Sequence, residues 1–157
     1  MRIQRAKQPK AIPRLTIFLI AALLIAAISA CSPPPTVSQQ IIAVIHEMEA
    51  RIESGHRRPF MGHVAADFDG QKGQFNKQQL GALVIYQLNQ HQRLHAQLFP
   101  INVDETGEET ASATFKALIT GGPGFIPDQG QLYDFETLWR YEGGEWLLTS
   151  ANWDPVL

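Results

Sequence analysis

The stretch Thr137-Leu-Trp-Arg-Tyr-Glu-Gly-Gly-Glu-Trp-Leu-Leu148 decides how the second half of this chain is read. Two alternating runs flank Gly143-Gly144, and a glycine pair between such runs signals a two-residue hairpin whose turn positions need positive φ. Centred on that pair, the hairpin sets Tyr141 opposite Trp146, Trp139 opposite Leu148, Thr137 opposite Ser150 and Phe135 opposite Asn152. Directly opposed residues share a face, as do alternate residues of one strand. Tyr133 and Asp154 therefore join the same surface, which is apolar near the turn and polar at its far end.

Working upstream, the alternating run starts near Leu132. Before it, Ala111, Ala113, Phe115, Ala117 and Ile119 alternate with Ser112, Thr114, Lys116 and Thr120, a second strand. A third holds Leu94, Ala96 and Leu98 against His95, Gln97 and Phe99, and Pro100 limits it. Residues 104–109, with Gly107, read as a turn. Gly121-Gly122-Pro123-Gly124 lies between strands and lacks a phosphate-cradling lysine, so it reads as a wide connection rimming a pocket. Phe125 and Ile126 are then exposed or lid-like apolar residues.

Ahead of residue 90 the period is helical. Ile41, Ile45, Met48 and Ile52 form one stripe, with Thr36 or Ser38 placed to cap it and Gly55 to end it. Pro59 suits the first turn of a second short helix carrying Phe60, Val64 and Phe68. Asn76 and Gln79 make a cap-like pair before a third helix with Leu80, Val84 and Leu88 in line. Helices followed by an antiparallel sheet make an α+β domain.

This order of elements, and above all the ending at residues 137–148 closed by Ala151-Asn152-Trp153, resembles the NTF2-like (SnoaL-like, ketosteroid-isomerase-like) cone over residues 38–157. The resemblance implies N-terminal helices packed on a curved antiparallel sheet, with a pocket between the helices and the far end of the last hairpin. Phe135, Thr137, Trp139, Asn152 and Tyr86 are the ligand-binding candidates. In the isomerase branch a tyrosine on the first helix serves the oxyanion. Met48 stands at roughly that position here, and the helix contains no tyrosine.

At the other end, five basic residues precede the apolar run at residues 15–30, which Cys31, the only cysteine, follows. A positive region, a short apolar stretch and small residues compose a secretory signal peptide, and the run is short for crossing a bilayer. Ile28-Ser29-Ala30-Cys31 resembles the lipobox of bacterial lipoproteins. The resemblance implies removal of residues 1–30, acylation of Cys31 and a Pro-rich tether over residues 31–37. Ser32 in place of aspartate favours the outer membrane, facing the periplasm, if the source is Gram-negative. The lipid bilayer is then the first partner.

The chain beyond residue 30 keeps fifteen Asp and Glu but only eight Lys and Arg. That negative balance argues against nucleic acid as a partner. No cofactor or metal site is expected. His91 and His95 have i, i+4 spacing but lie where the period changes, and His46 with Glu49 reads as a solvated helix face. No catalytic residues are assigned. The expected function is a membrane-anchored module binding a small apolar ligand or a protein partner without catalysis. The alternative is an isomerase- or dehydratase-type enzyme using Asp67, Tyr86 or Asp134 on a hydrophobic substrate, with Asp69 also near the relevant region. A third possibility is envelope assembly through a sheet-face homodimer.

Overall fold

The computed structural model describes residues 33–90, 94–121 and 129–156, and the folded unit begins at Pro35. Cys31, the signal segment, His91 and the connection carrying Phe125 and Ile126 fall outside the described residues.

Helix α1 (Val37–Glu53) starts in a reciprocal capping box: Gln39 N donates to Thr36 Oγ1 at 3.2 Å, and Thr36 N to Gln39 Oε1 at 3.0 Å. Two helix-end amides are thereby satisfied without water. Its stripe of Ile41, Ile45 and Met48 is buried, and Gly55 follows at φ +69°, where a residue with a Cβ would be strained.

Helix α2 (Arg57–Gly62) is short, and the chain then enters strand β1 (Val64–Gly70). The expected second helix thus loses Val64 and Phe68 to a strand. Four-residue spacing fits one helix face and also one strand face, so periodicity alone does not separate them. Pairing with the last strand decides the outcome, and Val64 and Phe68 are buried there.

Strand β2 (Phe75–Asn76) leads into helix α3 (Lys77–Gln90). Asn76 and Gln79 exchange backbone-to-side-chain bonds of 2.9 Å each way. Strands β3 (Leu94–Leu98), β4 (Asn102–Gly107), β5 (Thr110–Gly121), β6 (Gln129–Glu142) and β7 (Glu145–Pro155) complete the described residues. Residues 104–109, expected as a turn, are mostly strand: Asp104 and Glu105 pair with Ser112 and Ala111, and only Glu108 and Glu109 lie between β4 and β5. Acidic residues are poor strand formers, but on the solvent side of an edge strand they cost little and discourage edge-to-edge association.

The sheet runs β2-β1-β7-β6-β5-β3, with β4 on the same edge of β5 as β3. β1 lies parallel to β7 and the other pairings are antiparallel. The sheet is therefore mixed, not wholly antiparallel, because a segment read as helix joins it as a strand. Helices packed on this curved sheet make the domain α+β. Helix α1 rests on β3, β4 and β7, and α3 on β1 and β2. Ile41, Ile45 and Met48 of α1 share one buried core with Trp139, Trp146 and Leu148 of the last two strands.

Candidate functional site

The β6–β7 hairpin begins as its glycine turn dictates: Tyr141 faces Trp146 and Trp139 faces Leu148. Beyond that point the register shifts between Leu138 and Trp139, so Leu138 faces Ser150, Thr137 faces Ala151 and Phe135 faces Trp153. The expected pairs Thr137 with Ser150 and Phe135 with Asn152 are thereby corrected. Thr149 is the extra residue of a β-bulge, and its hydroxyl donates to Leu138 O at 3.1 Å. One inserted residue exchanges the two faces of everything that follows. Here it turns Ala151 and Trp153 toward the helices and sends Ser150 and Asn152 to the other side. Apolar area gains cover and two polar side chains keep access to water, which is reason enough for the bulge.

The inner face consequently reads as rows across three strands. Ala111, Trp139 and Leu148 make one row; Ala113, Thr137 and Ala151 the next; Phe115, Phe135 and Trp153 the third. The alanines make room for the Trp139 ring. In the third row Phe115 and Phe135 stack, with centroids 5.1 Å apart and planes 6° apart, and Phe135 lies 6.3 Å from Trp153. Phe75 on β2 extends the row at 5.7 Å from Trp153, and Tyr133 meets Phe135 edge-on at 6.3 Å. All five rings are only half-buried.

A turn with unusual backbone borders this row. Gln71, Lys72 and Gly73 have φ of 49°, 56° and 89°, and two of the three carry side chains. The end of β7 holds them in place. Gln71 N donates to Ala151 O at 2.9 Å, Gln71 Nε2 to Trp153 O at 2.6 Å, and Lys72 N to Asn152 Oδ1 at 3.0 Å. Strained backbone of this kind persists where its surroundings over-determine it.

The candidate residues therefore separate. Phe135 belongs to the half-buried aromatic row. Thr137 and Trp139 are buried deeper, 5% and 2% exposed; Trp139 donates to the Thr137 hydroxyl, which donates to Ala113 O. Asn152 caps the neighbouring turn from the opposite face. Tyr86 stands on α3 at 57% exposure. Phe75, Phe115 and Trp153 were not assigned to the site from sequence. The break in alternation from Leu148 to Ala151 and Trp153 was the available signal.

Asp67 and Asp134, the carboxylates offered for an enzyme, and the neighbouring Asp69 are all exposed. Arg140 donates to both oxygens of Asp67 at 2.9 and 3.0 Å. These bonds, with one from the residue's own backbone, hold the Asp67 carboxyl below its ordinary range. Arg140 also donates to Glu142, and both acids raise its own proton affinity. Asp134 forms an ion pair with Lys116 on the outer sheet face. His46, His63 and His95 each lie beside one glutamate, Glu49, Glu47 and Glu53. Among the described residues no three His, Cys, Asp or Glu side chains gather as a metal site.

No family model matches this chain, and no curated protein matches it in sequence. Solved structures do match in fold. A provisionally named scytalone dehydratase from Novosphingobium aromaticivorans superposes at TM-score 0.69 with 10% identity, over 76% of this chain and 84% of that one. An NTF2-like family protein from Streptomyces avermitilis, provisionally named a dehydratase, gives 0.66 at 17%, over 76% and 97%. An NTF2-like protein of unknown function from Pseudomonas putida gives 0.64 at 18%, over 76% and 87%. The chain has the NTF2-like fold. Identities this low carry the fold and not an activity.

Proposed function

We propose that this protein is an envelope lipoprotein, anchored through acylated Cys31 and facing the periplasm from the outer membrane, whose domain binds a small apolar ligand without transforming it. The observation that supports binding is the half-buried row of Phe115, Phe135 and Trp153, extended by Phe75 and Tyr133. Aromatic surface with a few polar groups at its border is the usual composition of a small-molecule site. Asp67 is bonded to Arg140 and Asp134 to Lys116 at the surface; a carboxylic acid that donates a proton at neutral pH needs burial or like charge to raise its pKa, so these pairs favour binding over general-acid chemistry.

The test exposes residues 32–157 to cell-envelope extract and identifies retained compounds by mass spectrometry. A compound retained unchanged, and lost with Phe135→Ala, supports binding. A compound consumed instead would favour a dehydratase- or isomerase-type enzyme. Cys31→Ala should accumulate as an uncut precursor that takes up no labelled palmitate; uptake by that variant would sink the anchor.

A further inference from the structure

Lys72 holds a backbone conformation, φ 56°, that glycine takes freely and a residue with a Cβ takes only under strain. Its amide alone serves the fold, donating to Asn152 Oδ1 at 3.0 Å, and any residue but proline offers that amide. The side chain is exposed. Among the described residues its ammonium has no ion-pair partner. Lys77, the other cation flanking Phe75, is committed, because its Nζ donates to Val64 O. Strained backbone held by its surroundings points toward function. Here the strained position carries a charge that the fold does not use.

That charge stands at the border of the aromatic row. The turn is bonded to Asn152 and Trp153, since Gln71 Nε2 donates to Trp153 O at 2.6 Å. Phe75 follows on β2, its ring 5.7 Å from that of Trp153. The row itself carries no charge. Each Asp and Glu described on β6 and β7 takes an outward position, Asp134 opposite Lys116 and Asp154, Glu136 opposite Thr114 and Asn152. Asp69, the acid nearest the turn in sequence, pairs with Ser150 and Asn76 on that outer side. From Gly70 to Val103 the sequence contains no Asp or Glu. An anionic group beside the row thus finds a cation at its border and no carboxylate on its own face.

Resting on the aromatic-site reading above, we infer that Lys72 receives the anionic group of the ligand, and that the ligand is an apolar acid. Its hydrophobic body lies on Phe135, Trp153 and Phe75, and its carboxylate, sulfonate or phosphate meets the ammonium at the turn. A lysine presents three donors on a flexible four-carbon stem, which suits an anion whose position varies with the body attached to it. Burial of the body supplies most of the affinity. The exposed ion pair adds a preference over neutral molecules of the same shape. The acid-rich remainder of the domain opposes anions at long range, so the attraction is local and falls with salt.

The experiment measures binding of naphthoate and of its neutral alcohol, naphthylmethanol, to residues 32–157 by probe fluorescence at low salt. The core residues all follow Pro35, so this segment holds the whole folded unit. The acid should bind roughly twofold to fivefold more tightly than the alcohol, the worth of an exposed ion pair. Lys72→Gly should erase that preference and leave alcohol binding unchanged, and Lys72→Arg should keep it. Relief of backbone strain makes Lys72→Gly no less stable than the parent, so its lost preference is not unfolding. Equal binding of the two probes by the parent, or a preference that survives Lys72→Gly, overturns the assignment. Failure of both probes to bind, or binding of both undiminished in Phe135→Ala, overturns the aromatic site itself.

Discussion

Trp139 Nε1 donates to Thr137 Oγ1 at 2.9 Å, and that hydroxyl donates onward to Ala113 O at 2.9 Å. The relay joins β6 to β5 inside the core, at residues 5% or less exposed. A tryptophan needs a partner for its N–H when buried, and threonine two positions earlier on the same face supplies one. The pair that sequence alone offers as ligand contacts therefore spends its polar atoms inside the protein.

Thr137→Val keeps the shape but removes both bonds. It should cost about 1–3 kcal/mol, because the Trp139 N–H is left buried without an acceptor. Thr137→Ser should cost less. In a double-mutant cycle with Trp139→Phe, the valine change should lose part of its penalty, read from denaturant midpoints. Additive costs would mean that the two side chains are not coupled.

A second prediction concerns acid. Arg140 reaches across β7 to Asp67 on β1, and these bonds keep the carboxyl ionised to lower pH than usual. A depressed folded-state pKa adds stability above the unfolded carboxyl value, near pH 4, and that stability is lost as pH falls through the lower folded value. Asp67→Asn should therefore flatten the acid limb of the stability–pH curve below about pH 4 and leave the variant less stable than the parent at pH 7. The difference should shrink in high salt, since both groups meet solvent.

The turn before β2 supplies a third. Lys72 sits at φ 56°, a conformation that costs a side-chain-bearing residue roughly 1 kcal/mol and a β-branched one more. Its bond to Asn152 uses the backbone amide, which any non-proline residue keeps. Lys72→Gly should raise stability by up to ~1 kcal/mol, and Lys72→Val should lower it. Equal midpoints for both would remove the claim of strain.

Local chemistry made much of this fold legible. The cap of α1, offered as Thr36 or Ser38 and made by Thr36, the Asn76–Gln79 pair, the α1 stripe and the glycine hairpin each involve residues close in sequence. What failed was decided at long range. Val64 and Phe68 satisfy two periodicities at once, and only pairing with β7 selects the strand. Asp104 and Glu105 look like turn residues until β5 offers them an edge. The largest consequence came from one residue, Thr149, because hairpin register propagates from the turn and a bulge redirects every side chain beyond it. The glycine turn alone sets Asn152 opposite Phe135, where the structure has Trp153.

That exchange can be tested directly. If Trp153 shares the inner face with Phe115 and Phe135, Trp153→Ala removes half-buried aromatic area and should cost up to ~3 kcal/mol, the lower end for aromatic truncation in a core. It should also abolish retention of an apolar ligand. Asn152→Ala removes only the acceptor for Lys72 N on the opposite face. It should cost ~0.5–1.5 kcal/mol and leave retention intact. Without the bulge the ranking reverses, since Asn152 would then stand beside Phe135 and Trp153 would face solvent. Chemical denaturation and ligand retention on the two variants together distinguish the arrangements, and a more damaging Asn152→Ala in both assays would refute the register described for β7.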